Sequence, residues 1–171
     1  MPRERFFGKY RGRVENNVDP FGQGRLQVSV AAVLGDASMA WAMPCVPYAG
    51  PGVGLFLIPP TGAQVWVEFE GGDPDYPIWV GGFWGQGEAP MPAPGPQQVA
   101  QKILKTDALS LSLNDLPGAG GLTIEVSSPA VPVPTTIEVT ASGVTIGHAA
   151  SSIELTPAGV AINGDALRVL P

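Results

Sequence analysis

The sequence predicts an all-β protein in two parts: a small closed barrel, then a triangular β-helix formed by three intertwined chains. Three observations carry this. Short apolar runs recur between Gly/Pro turns over residues 6–84, a proline-rich stretch interrupts them at 86–101, and a 16-residue repeat follows. The expected boundaries are a barrel at 1–85, a linker at 86–105 and a three-chain spike at 106–171. Composition agrees with this division. Only 14% of the 171 residues are charged and 44% are hydrophobic, the opposite of a disordered chain. The 23 Gly and 19 Pro, set among Val, Ile, Leu and Thr, suit short strands and tight turns.

The barrel elements read in order. Lys9–Glu15 is the first strand, and Asn16–Gly24 is a turn cluster. Arg25–Val30 alternates strictly and puts Leu26, Val28 and Val30 on one face. Trp41–Tyr48 is irregular and carries Pro44 and Pro47, which places it at an edge. Val53–Ile58 is a short apolar run between the turns Gly50–Gly54 and Pro59–Gly62. Gln64–Glu70 alternates again, Gly71–Asp75 turns, and Tyr76–Phe83 is the last strand. Five or six strands without a helical pattern make a small closed barrel. In the stretch 86–101, proline and glycine favour an extended, fairly stiff connector.

The repeat sets residues 135–147 over 151–163. Ile137 matches Ile153, Val139 matches Leu155, Val144 matches Val160, Ile146 matches Ile162, and Gly143 matches Gly159. Each unit divides into two octads, a short alternating strand plus a corner. Leu122–Val126 is an earlier copy, and Leu109, Leu111 and Leu113 alternate before that. So short a repeat signals a solenoid. Two inward residues per strand cannot enclose a core in one chain. Three chains, each giving one face of a prism, bring Ile137, Val139, Val144, Ile146, Ile153, Leu155, Val160 and Ile162 together as a trimer core. The competing reading is a few more strands of a one-chain sandwich.

Charge excludes some functions. The net charge is −6, which argues against nucleic-acid binding. Residues 1–25 run against the trend, with six basic and three acidic residues, Arg3 among them. They read as a solvated strand face or, more pointedly, as a docking surface for an acidic partner. Cys45 is the one cysteine; its apolar setting suggests a buried, inert thiol. No signal peptide and no run of membrane-helix length is visible, so assembly in the cytoplasm without stable membrane insertion is expected.

The chemistry of a catalyst is missing from the sequence. His148 is the only histidine, set among Gly147, Ala149 and Ala150, and reads as a corner residue. No nucleophile–base set, phosphate loop or zinc spacing appears. Glu68 and Glu70 share a strand face and Asp73 and Asp75 flank Pro74, which does not make a glycosidase cleft. No enzyme and no cofactor are therefore expected. Trp41, Trp66, Trp79 and Trp84 read as core or interface residues rather than a stacking platform for bases or sugars.

Residues 6–84 resemble the barrel of baseplate assembly protein V and of VgrG-type spikes. The resemblance rests on an ordered set: Gly8–Val14, Asp19-Pro20, Gly24–Val28, Trp41-Ala42 with Pro44, Ala49-Gly50, Pro59–Phe69, Gly72–Pro74 and Pro77–Gly81. It implies an oligonucleotide/oligosaccharide-binding (OB) fold leading into a triangular β-helix, and a central spike of a contractile injection machine. The expected partners are two further copies, a separate hub protein, inner-tube and baseplate components, and a PAAR-like tip protein. A large hub domain found in many VgrG proteins, the lysozyme domain of some phage spikes and a His-x-His metal tip are all unmatched here. Arg11 and Arg13 are the candidates for hub docking. Leu167 and Val169, in the tail Asp165–Pro171, are the candidates for tip docking. The alternative is an OB-fold binding module for oligosaccharide or single-stranded nucleic acid, which has no use for the C-terminal repeat.

Overall fold

The computed structural model describes residues 4–36, 38–90, 95–164 and 166–170. Arg3, linker residues 91–94, Asp165 and Pro171 lie outside the described residues. The chain divides into two compact units, 1–89 and 90–171.

The first unit is a closed five-stranded barrel. Its strands are β1 (Tyr10–Asn16), β2 (Leu26–Ser29), β3 (Met39–Pro44), β6 (Gln64–Phe69) and β7 (Pro77–Phe83). Between them lie one helical turn, α1 (Ala31–Leu34), and a small ribbon, β4 (Ala49–Gly50) with β5 (Val53–Gly54). The barrel order is β1-β2-β3-β7-β6, with β6 returning to β1. Leu26, Val28 and Val30 are fully buried, as the sequence predicts. In β6 the alternation, which leaves the choice of face open, resolves with Val65 and Val67 fully buried and Trp66 on the outer side. Val14, Ala42, Phe69 and Trp79 complete the core. The Trp79 indole N–H donates to the Gly24 carbonyl at 3.1 Å, so the one large polar edge in the core is satisfied.

Three readings change. The segment at 39–44 is not an edge. It pairs with β2 on one side and, in parallel, with β7 on the other through Met43 and Pro44. Pro44 is tolerated because it ends the strand, where the pairing stops. Cys45 is exposed, not buried, since alternation past Ala42 turns its side chain outward. The run 53–58 reaches the core only at Ile58, which packs half-buried against it; Val53, Leu55, Phe56 and Leu57 stay exposed, because strand pairing there ends at Gly54.

The turn before β2 is built on one carboxylate. Asp19 accepts backbone N–H groups from Phe21, Gln23 and Arg25 at 2.8–3.2 Å. It also accepts Nε and Nη2 of Arg25 at 3.1 and 2.7 Å. The guanidinium lies over the rings of Phe21 and Trp41. Arg25, and then the backbone donors, hold the Asp19 carboxyl well below the usual carboxylate range, against the desolvation that pushes it up.

The second unit is one antiparallel sheet of eight strands in chain order. They are β8 (Gln101–Lys105), β9 (Leu109–Asn114), β10 (Gly121–Val126), β11 (Thr135–Thr140), β12 (Gly143–His148), β13 (Ser151–Thr156), β14 (Gly159–Ile162) and β15 (Leu167–Val169). Residues 101–105, read as linker, are thus a strand, because Ile103 and Leu104 sit in register on Ser112 and Leu111. The 16-residue repeat is one β-hairpin; the last of its four octads is a four-residue strand with a longer turn, and the first three are each a six-residue strand with a two-residue turn. Such a short loop returns the chain beside the strand it has just left. Successive strands therefore pair within the chain as an eight-stranded meander.

The repeated glycines have a steric cause. Gly143 and Gly159 open β12 and β14 at φ 144° and 120°, and a Cβ there would meet the carbonyl oxygens of Leu155 and Val169 at 2.0 and 2.1 Å. No side chain fits without moving the ladder. Gly143→Val or Gly159→Val is expected to destabilise the fold by roughly 2–3 kcal/mol, read as a lowered melting temperature; an unchanged one would contradict this packing. For the barrel, Asp19 has a folded pKa below its unfolded value, so its clamp contributes above about pH 4 and fades on acidification. Asp19→Asn should lower stability at pH 7 and flatten its loss between pH 4 and pH 2, measured by urea unfolding at each pH.

Candidate functional site

The sheet of the second unit carries two unbroken cross-strand rows on one face. The first is Leu104, Leu111, Ile124, Ile137, Ile146, Ile153, Ile162 and Leu167, one from each of eight strands. The second starts at Lys102 and continues through Leu113, Leu122, Val139, Val144, Leu155, Val160 and Val169. The opposite side is largely polar: its intervening row runs from Ile103 through Ser112, Thr123, Glu138, Thr145, Glu154 and Ala161 to Arg168. All eight expected core residues, Ile137, Val139, Val144, Ile146, Ile153, Leu155, Val160 and Ile162, fall in the two apolar rows. The structure adds the earlier Leu and Ile positions and carries both rows into β15.

This face has no core beneath it. Every fully buried apolar residue described belongs to the barrel. Ile153 is still 45% exposed and Leu155 52%, although both sit at the middle of their strand. Burying the remaining half of each such side chain is worth ~1 kcal/mol, and two full rows on the order of 10 kcal/mol per chain. A third row on the same face is polar at one end: Thr135 faces His148, which faces Ser151. The Thr135 hydroxyl and His148 Nδ1 are hydrogen-bonded at 2.7 Å. Lys102 closes the second row at the β8 edge, its ammonium paired with Asp115.

The barrel surface carries the other candidates. Arg11 and Arg13 project from β1 on the side opposite buried Gly12 and Val14. The Arg11 guanidinium lies over Trp66 and Phe83 at 5.2 and 4.9 Å. Arg13 faces Ser29 and Gln64 on the flanking strands. Nearby carboxylates serve the turns: Glu68 pairs with Lys9, and Asp73 lies 3.9 Å from Arg5 and accepts the Asp75 N–H. Leu167 and Val169 stand in β15, an edge strand that pairs with β14 alone in the sheet. They are exposed, as the last members of the two rows. Among the described residues no cluster of His, Cys, Asp and Glu could hold a metal ion. No helix among them is long and apolar enough to cross a membrane.

A closed OB-type barrel followed by a sheet whose apolar face lacks its own core is the architecture of a protein completed by self-assembly. Family comparison makes this specific. Residues 10–84 match the type VI secretion system/phage-baseplate injector OB domain, and residues 101–168 match the phage baseplate V C-terminal trimerisation domain. The chain belongs to this baseplate V/VgrG-like family, a family of structural baseplate proteins, and its role is of the baseplate or spike type. The trimerisation domain supports a homotrimer and a place in a phage or injection particle. A search of curated proteins gave no match.

Sequence reasoning found the rows from Ile137 onward through the repeat. It missed the extension of the first row into β8, because Leu104 follows too soon after the prolines to stand out. If the rows are the assembly face, Val144→Asp or Ile153→Asp will bury unpaired charge there. Either should convert the native mass toward that of one chain. Glu138→Lys and Glu154→Lys, on the polar side, should leave it unchanged in sedimentation equilibrium.

Proposed function

We propose that the protein is the central spike at the baseplate tip of a contractile injection machine, whether phage tail, tailocin, extracellular injection system or type VI-like. In this reading it pierces the target envelope and links a hub to a tip protein. The observation that carries it is the pair of apolar rows, one crossing all eight strands and the other crossing seven, on a domain that follows an injector OB barrel. Three such sheets, facing inward, make a prism whose core is Ile137, Val139, Val144, Ile146, Ile153, Leu155, Val160, Ile162 and their neighbours in the rows. At ~4.8 Å per strand the eight strands stack over roughly 35–40 Å. The function is mechanical: paired backbone and a filled axis resist bending, and no reaction is involved.

The two ends take different partners. At the barrel, Arg11 and Arg13 form the hub-docking face. Charge there steers an acidic partner and makes the contact sensitive to salt. At the far end β15 leaves one row of backbone donors and acceptors open beside Leu167 and Val169. An open strand edge of this kind invites a cap, and a PAAR-like tip protein is the proposed one.

Each end has its own test. Arg11→Glu with Arg13→Glu should weaken co-purification with the hub and make what binding remains insensitive to added salt; unaltered co-purification contradicts the docking face. Deleting residues 163–171 should abolish pull-down of the tip protein while the trimer mass persists. Tip binding retained by that truncation overturns the cap.

A further inference from the structure

The barrel has a second surface that its own core does not explain. Between Asp36 and Glu68 the sequence holds no charged residue. The middle of that stretch is an arm, the β4–β5 ribbon and the segment after it, held by the Leu55 N–H donating to the Tyr48 carbonyl at 2.9 Å. Tyr48, Val53, Leu55, Phe56 and Leu57 are 46–70% exposed along it. Between the arm and the turn at Gly22–Gly24 lies a groove of about 490 Å³ with Pro44, Val46 and Trp79 in its lining. Scattered exposed apolar residues need no explanation, but five on one short arm beside an apolar groove do.

Composition says what covers it. Interfaces between permanent partners are the more apolar ones and are depleted of charge at their centre, whereas contacts formed by diffusional encounter use charge for steering. No charged residue lines the groove; the Arg25 of the adjoining turn is paired with Asp19, and Arg11 and Arg13 lie on β1. The permanent partners that the family match supports are two more copies of the chain. Residues 86–100 tether each barrel to its sheet by no more than ~50 Å of chain, so the other two barrels are present at an effective concentration on the order of millimolar.

We infer that the arm and its groove pack against the barrel of a neighbouring copy, so that the three barrels form a ring of their own. This rests on the trimeric reading above. A threefold contact is heterologous, so the arm of one copy meets a different surface of the next.

The test uses the full chain with Phe56 replaced by the photoreactive p-benzoylphenylalanine, a second version with the probe at Leu57, and a third at exposed Phe7 as control. Native mass spectrometry is run on each sample before irradiation. Chain-to-chain products from position 56 or 57, several-fold above position 7 and mapped to residues 4–84 outside the arm of another copy, are the expected result. A trimeric mass with no such product overturns the ring alone. So does a product that forms only with added hub protein or only with phospholipid vesicles. A monomeric mass removes the ring and the trimeric reading together.

Discussion

Everything in the second unit depends on the fact that a single β-sheet cannot bury both of its faces. The rows from Leu104 to Leu167 and from Leu113 to Val169 gather the unit's large apolar side chains on one side. Among the described residues no fully buried apolar side chain belongs to this unit. Pairing between successive strands fixes the register within the chain, and in the proposed spike burial of the rows falls to other copies. Stability of this unit is then inseparable from its oligomeric state. The opposite face, with Glu138, Thr145 and Glu154 in line, stays wet and keeps the sheet from associating through its back.

The barrel is the contrast. It encloses its own core, and its turns are fixed by local chemistry such as the Asp19–Arg25 clamp. Its surface carries a basic strand at Arg11 and Arg13 and an uncharged arm near Phe56. In the proposed spike, the barrel would meet other components and the sheet, completed by copies of itself, would supply rigidity.

Much of this was legible in the sequence. Strict alternation in Arg25–Val30 names Leu26, Val28 and Val30 of the barrel core, because the other face there is polar. In Gln64–Glu70 both faces carry large apolar residues, so the inward choice of Val65 and Val67 over Trp66 came only from the structure. The offset of 16 names eight positions of the apolar rows, because each repeat is one hairpin of fixed length. Pairing partners were not legible. Residues 41–48 look like an edge from Pro44 and Pro47, and only the parallel contact of Met43 and Pro44 with β7 shows that this segment closes the barrel. The arm reads only as a short apolar run, because apolar runs that are buried and apolar runs that await a partner have the same composition. Corners of an interleaved β-helix and two-residue hairpin turns are likewise alike in sequence, which is why the meander emerged only from the register.

The central claim is that the two apolar rows are covered by copies of the same chain. Sedimentation equilibrium of the purified wild-type protein at micromolar concentration tests it most directly. The account predicts a single species of three chains, unchanged on dilution through the micromolar range. A mass of one chain, with the rows left open to water, would contradict it.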